Sequence, residues 1–302
     1  MIPAILKRDD KVAIVAPSRK VTLADIEPAI QVINGWGLEV KTGKTIGTTH
    51  FQFSGTDDER VADFQAMLDD PTVKAIFCAR GGYGLSRIID DIDFRAFIKR
   101  PKWICGFSDV TVLHSHLAAV YNVSSLHCSM PANFSSNTTE SLESIRKALF
   151  GGKLIYHLQN THERMVRDGK ATAELCGGNL TLLAHLIGTD SDTDTNGKIL
   201  FIEDVDEYLY NVDRMMVQLK RAGKLENLAG LIVGHFSKMK NLDEANPFGK
   251  TAHEIIWEKV QDYDYPVFFD FPGGHEQDNR ALIIGAKTTL SIEKENAVIS
   301  IT

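Results

Sequence analysis

The 302-residue chain carries 33 Lys and Arg against 40 Asp and Glu, a formal net charge of −7, with 43% hydrophobic and 24% charged residues. That balance describes a globular enzyme or binding protein long enough for two domains, and it argues against nucleic acid or an anionic membrane as the main partner. No apolar run approaches the ~20 residues that cross a bilayer.

The first ten residues lack the basic start and apolar stretch of a signal peptide. Cys78, Cys105, Cys128 and Cys176 lie in or beside apolar segments without paired spacing, which reads as reduced, buried thiols of a cytoplasmic protein.

Taken in chain order, the first half alternates strand and helix. A buried strand is expected over 12–16, ending at Pro17-Ser18, then a helix over 23–36 and a strand near 38–41. Thr56 with Glu59 three residues on is a capping box, opening a helix that ends at Asp70-Pro71. Strands over 73–78 and 102–105 follow, the first leading through a glycine turn into a helix. A helix over 110–121 follows the second, with apolar Val112, Leu113, Leu117 and Val120. Strands separated by helices imply right-handed crossovers and a parallel sheet.

From residue 135 to about 169 the texture becomes polar, with one helix ending at Phe150, and the domain junction is placed here. The division is a 1–150 α/β domain, a 151–170 linker and a 171–302 mixed domain. In the second half, strands are expected over 198–202, 229–233, 266–270 and 281–285, and helices over 179–187, 208–221 and 252–261. A hairpin around Lys294-Glu295-Asn296 joins strands 289–293 and 297–301.

Gly106-Phe107-Ser108-Asp109 places a serine at a strand-to-helix corner. Such a turn presents a hydroxyl clear of the backbone, with free helix N–H groups behind it, the geometry of an acyl-transfer nucleophile. Locally, capping of the helix by Ser108 or Asp109 is the stronger reading. The run also departs from the Gly-x-Ser-x-Gly elbow, since Val110 stands at the second glycine. Ser108 therefore needs partners.

Three segments offer them. Ala79-Arg80-Gly81-Gly82-Tyr83-Gly84 follows a strand, where glycines let backbone N–H groups approach a ligand as a phosphate site or an oxyanion hole, or form a plain turn. It fits neither Gly-x-Gly-x-x-Gly nor the P-loop. Glu203-Asp204 ends the strand from 198. Acidic residues before a helix usually serve its cap, but a carboxylate at a strand's C-terminal end also lies where α/β sites are built. Their alternation sends only one of the two toward a given cleft. His275 lies in a Gly-rich loop between strands, able to reach a nucleophile. His114 and His116 point to different faces of their helix, and His127, in a loop, is placed to line the cleft. No His-Glu pair completes His-Glu-x-x-His, so no metal site is read.

Together these segments resemble the LD-carboxypeptidase family of serine peptidases, the muramoyltetrapeptide carboxypeptidases with the microcin-immunity peptidases as a branch. The resemblance runs through Val15 to Ser18, Ala79 to Gly84, Gly106 to Asp109, Gly177 to Leu180, Phe201 to Val205 with Asp213-Arg214-Met215, and Gly274-His275 with Asn279. One departure is His127-Cys128-Ser129-Met130, where members often carry His-Gly-Pro-Met. The resemblance implies an α/β fold: an N-terminal doubly wound, mostly parallel sheet and a C-terminal mixed, β-barrel-like domain. It implies Ser108 as nucleophile, His275 as general base, Glu203 as its orienting acid, and an oxyanion hole from the Gly82 and Asp109 amides. It further implies a cytoplasmic homodimer that needs no metal or organic cofactor and releases terminal D-alanine from murein tetrapeptides. Arg80, with Tyr83 beside it, is the candidate for the substrate's carboxylate.

Three rivals remain. The microcin-immunity branch would use the same triad on peptidyl- or aminoacyl-nucleotide conjugates, with Phe51 and Phe53 as candidate platforms for an adenine. A two-domain solute-binding protein would use the glycine loops without chemistry. A cysteine-elbow amidotransferase would need its cysteine at the corner, where Cys105 sits three residues too early.

Overall fold

The computed structural model describes residues 1–159, 165–294 and 296–302. Strands β1 (Lys11–Val15), β2 (Glu39–Thr42), β3 (Val73–Cys78), β4 (Trp103–Gly106) and β5 (Ser125–His127) alternate with helices α1 (Leu23–Gly35), α2 (Asp57–Asp69) and α3 (Thr111–Tyr121). After α4 (Thr139–Leu149) come β6 (Leu154–Gln159), β7 (Gly169–Asn179), α5 (Leu180–Leu186), β8 (Ile199–Val205), α6 (Leu209–Arg221), β9 (Gly230–Ser237) and α7 (Ala252–Val260). The chain closes with β10 (Val267–Phe268), β11 (Leu282–Ile284), β12 (Lys287–Glu293) and β13 (Asn296–Ile301).

The first sheet has the order β11-β5-β4-β3-β1-β2, parallel from β2 to β5. Apart from Lys11 and Lys74 near their starts, its middle strands β1, β3 and β4 are apolar or glycine and buried, because helices cover both faces, as parallel sheets require. Strand order reverses between β1 and β3, so a crevice opens at their C-terminal ends. Helix starts follow local chemistry. Thr56 and Glu59 exchange backbone hydrogen bonds as the expected capping box, and Thr22 with Asp25 does the same for α1.

The second sheet, β10-β9-β8-β7-β12-β13-β6, is parallel from β10 to β7 and antiparallel onward. The fold is therefore the expected one, a parallel-rich sheet followed by a curled mixed sheet.

Three departures from the sequence reading bear on the architecture. The stretch after the glycine turn forms two short 3-10 turns, Leu85–Arg87 and Ile89–Asp91, instead of a helix. Ile88 (φ −123°) interrupts it, and the Leu85 amide is taken by the Asp109 carboxylate. The stretch 151–170 holds β6 and the start of β7; its residues 160–164 lie outside the described residues. Leu154 and Tyr156 of β6 are buried while Ile155 and His157 are exposed, an alternation hidden within the charged stretch. Finally, β11 leaves the C-terminal half and pairs antiparallel with β5 in the first sheet.

Candidate active site

Ser108 stands where β4 ends and a 3-10 turn, Ser108–Val110, leads into α3. Its φ of 61° is a left-handed conformation that non-glycine residues seldom adopt, the backbone signature of a nucleophile elbow. The residues around it hold it there. Gly106 (φ 156°) gives up its carbonyl to the Cys128 amide at 3.0 Å and to His114 Nε2 at 2.9 Å. A carbonyl only accepts, so Nε2 carries the proton and Nδ1 accepts from Ser125 Oγ at 2.7 Å. Burial pushes His114 down to about 4, which keeps that neutral tautomer. Capping of α3 by Ser108 is not seen: α3 begins at Thr111 behind Val110, with no side-chain cap.

The glycine turn packs against this corner. A Cβ on Gly81 would lie 3.1 Å from Ser108 Cβ and 3.2 Å from its Oγ. Gly82 has a φ of 109°. The Asp109 side chain points away from the site, accepting from Ser18 Oγ at 2.5 Å and the Leu85 amide at 3.0 Å. Burial raises its carboxyl, against those two hydrogen bonds. Arg60, fully buried, donates to the Pro17 and Gly84 carbonyls and pairs with Asp57. The loops after β1 and β3 and the serine corner are thus pinned into one wall.

The second sheet supplies the opposite wall. Glu203, near the end of β8, is fully buried, and its Oε2 lies 2.8 Å from His275 Nδ1. Gly274 (φ 127°) makes this approach feasible, because a Cβ there would lie 2.9 Å from Glu203 Oε2. The loop is fixed by Asn279 Oδ1, which accepts from the Gly274 amide at 2.9 Å, and by the Gly273 carbonyl, which accepts from the His235 amide at 2.8 Å. The His275 ring packs 4.7 Å from that of Phe107, the residue before Ser108. Burial works against the imidazolium. The Glu203 charge and hydrogen bond, with Asp204, outweigh it and hold the His275 pKa above its ordinary value; Lys238 pulls the other way. Among the described residues the Ser108 hydroxyl makes no hydrogen bond, which leaves it open to a substrate.

Asp204 faces away, as strand alternation requires. Its oxygens accept from Asn179 Nδ2, the Thr181 amide and hydroxyl, and the Val205 amide, all between 2.8 and 3.0 Å. Asn179 in turn donates its amide to Thr111 Oγ1 at 3.0 Å, tying β7 to the start of α3 and so one sheet's strand to the other's helix.

The remaining expected residues differ in their surroundings. Arg80 is exposed and its charge acts on Asp25. Tyr83 is 45% exposed and packs against Phe53. His127 lies in β5, not a loop, and is enclosed between Phe107 and Phe201 instead of lining the cleft. Cys105 is fully buried, its thiol pushed well up by burial, which removes it as a nucleophile. Ser18, Arg60, His114 and Asn279 were not singled out for the site by sequence. Two of them carry a signal, Ser18 at the end of Val-Ala-Pro-Ser and Asn279 four residues after His275.

Comparison with known proteins agrees across both halves. Residues 12–128 match the LD-carboxypeptidase N-terminal domain and 172–290 match the LD-carboxypeptidase C-terminal domain. A probable murein peptide carboxypeptidase of Bacillus subtilis is 33% identical, the alignment covering 98% of this chain and 93% of that protein. The murein tetrapeptide carboxypeptidase of Pseudomonas aeruginosa is 27% identical over 93% of each. Among solved structures, muramoyltetrapeptide carboxypeptidase from Oxalobacter formigenes gives a TM-score of 0.86 at 29% identity, covering 96% of this chain and 98% of that one. The microcin C7 self-immunity protein MccF gives 0.88 at 23% identity over 100% and 98%, a likeness of fold. Fold and matches define a serine-type carboxypeptidase, a hydrolase. The chain belongs to the LD-carboxypeptidase family.

Proposed function

We propose that this chain hydrolyses the bond between the L-centre of a diamino acid and the terminal D-alanine of murein tetrapeptides, in the cytoplasmic recycling of cell wall. The observation that carries this reading is the pairing of buried Glu203 with the partly buried His275, packed through Phe107 against the strained Ser108 corner. His275 takes the Ser108 proton as the hydroxyl attacks the peptide carbonyl, then gives it to the departing amine. Glu203 accepts from Nδ1–H, which leaves Nε2 as the base, and it stabilises the imidazolium. The Gly82 and Asp109 amides receive the developing oxyanion; Asp109 lies in the first turn of a helix start, where amides lack intrahelical partners. Water then attacks the acyl-enzyme by the same proton route.

Incubation with murein tetrapeptide and pentapeptide fragments, with products read by mass, tests activity, bond choice and chirality together. Loss of a single D-alanine from the tetrapeptide is expected, unaffected by EDTA because no step uses a metal. The nucleotide-conjugate reading draws on Phe51, which is 82% exposed, whereas Phe53 has guanidinium groups of Arg60 and Arg87 within 4.9 and 5.7 Å of its ring centre. An aminoacyl-nucleotide conjugate in the same assay separates the two.

A further inference from the structure

We propose that Arg19, which no motif assigns, grips the free C-terminal carboxylate of the substrate and so makes this hydrolase an exopeptidase; the inference rests on the proposed function and deepens it. Arg19 lies just beyond β1 and Gly82 just beyond β3, on the two sides of the crevice where strand order reverses. Their contact is close. A Cβ on Gly82 would fall 2.1 Å from Arg19 Cδ and 2.6 Å from Cγ, so the arginine's stem lies along the bare face of the glycine. The adjacent glycine, Gly81, faces Ser108: a Cβ there would lie 3.2 Å from the Ser108 Oγ. The stem is therefore laid beside the amide assigned to the oxyanion and close to the nucleophile.

The backbone beneath it is fixed. Arg19 bridges Phe53, the Lys20 amide donates to the Gln52 carbonyl at 3.1 Å, and the preceding Ser18 donates to Asp109. The guanidinium is exposed and, among the described residues, has no carboxylate partner. Its neighbours differ: Arg60 and Arg87 both pair with Asp57, and the charge of Arg80 acts on Asp25. An unpaired guanidinium presents two parallel N–H donors shaped for a carboxylate. The terminal carboxylate lies one carbon from the leaving nitrogen, so its receptor must stand beside the acyl carbon, as this stem does. A second cation, Lys238, acts on His275 from just beyond the end of β9.

The test compares a tetrapeptide ending in D-alanine with the same peptide ending in D-alaninamide. Wild type should favour the acid, and Arg19→Met should lose about 10- to 100-fold in kcat/KM on the acid, the worth of a charge-assisted hydrogen bond, with the amide little changed. Arg19→Lys should restore part of the loss. In parallel, calorimetry on Ser108→Ala should show tighter binding of the acid, and Ser108→Ala/Arg19→Met should bind both alike. An unaltered acid preference in Arg19→Met, or its disappearance in Lys238→Met alone, overturns the assignment. Should wild type cleave neither peptide, the proposed function fails, and the binding arm still decides Arg19.

Discussion

Gly274 and Glu203 are fitted to each other: the glycine's missing side chain is the space into which the carboxylate reaches His275. Gly274→Ala puts a methyl group 2.9 Å from Oε2 at a φ of 127°, which an L side chain rarely adopts. The imidazole should shift by a fraction of an ångström or more. We expect kcat on the tetrapeptide to fall about 100-fold while KM changes little, since misplacement of a catalytic group acts on the barrier. Steady-state kinetics on the folded variant checks this.

Glu203→Gln removes the charge and keeps the shape. By analogy with other triads the loss in kcat is about 10⁴-fold. The pH profile should move as well. As the proposed base, His275 would act only when neutral, so kcat/KM in wild type should rise as pH climbs through a pKa held above the ordinary ~6.5. Without the Glu203 charge, burial and Lys238 weigh more heavily against the imidazolium, and the rising limb should move to lower pH. The pair also stabilises the fold while the imidazole is charged, and that contribution is complete below the unfolded histidine pKa and lost as pH rises through the raised folded one. A limb left in place would show that the ring titrates independently of Glu203.

Ser108→Ala should abolish turnover and leave the thermal unfolding midpoint within a few degrees of wild type, because the hydroxyl makes no hydrogen bond among the described residues. Rate measurement beside calorimetric melting separates loss of chemistry from loss of fold. Undiminished release of D-alanine by this variant would remove the nucleophile assignment.

Asp204 is a test of stability. Every group facing its two oxygens is a donor, so Asp204→Asn turns one N–H₂ toward other N–H or O–H groups. A cost of about 1–3 kcal/mol is expected in urea unfolding. Burial and the nearby Glu203 charge push the Asp204 carboxyl up to about 6. The stability it contributes is therefore present below the unfolded value of 3.8 and lost as pH rises through about 6, a slope the variant should lack.

Much of this was readable before folding. Capping boxes, β-branched runs and the Gly-rich corners are local signals, and they located most strands and helices and the three residues of the proposed triad. What escaped depends on distant chain. The short strand β5 exists because β4 and β11 flank it, so His127 and its neighbours read as a loop. The edge strand β6 was masked by its charged surroundings. The contact between Arg19 and Gly82, 63 positions apart, is invisible in the sequence, where only Arg80 adjoins the glycines. Likewise, Arg60 and His114 hold carbonyls of the Gly84 turn and the serine corner, a task no residue spacing announces.

The segment carrying His275 leaves the second sheet at Phe268 and enters the first at Leu282, so it is a strap buckled at both ends. A break in the polypeptide between the two family-matched halves would strip the first fragment of its border strand and of the imidazole together. Mixing the fragments would return both in one event, making fragment assembly itself the switch that turns hydrolysis on.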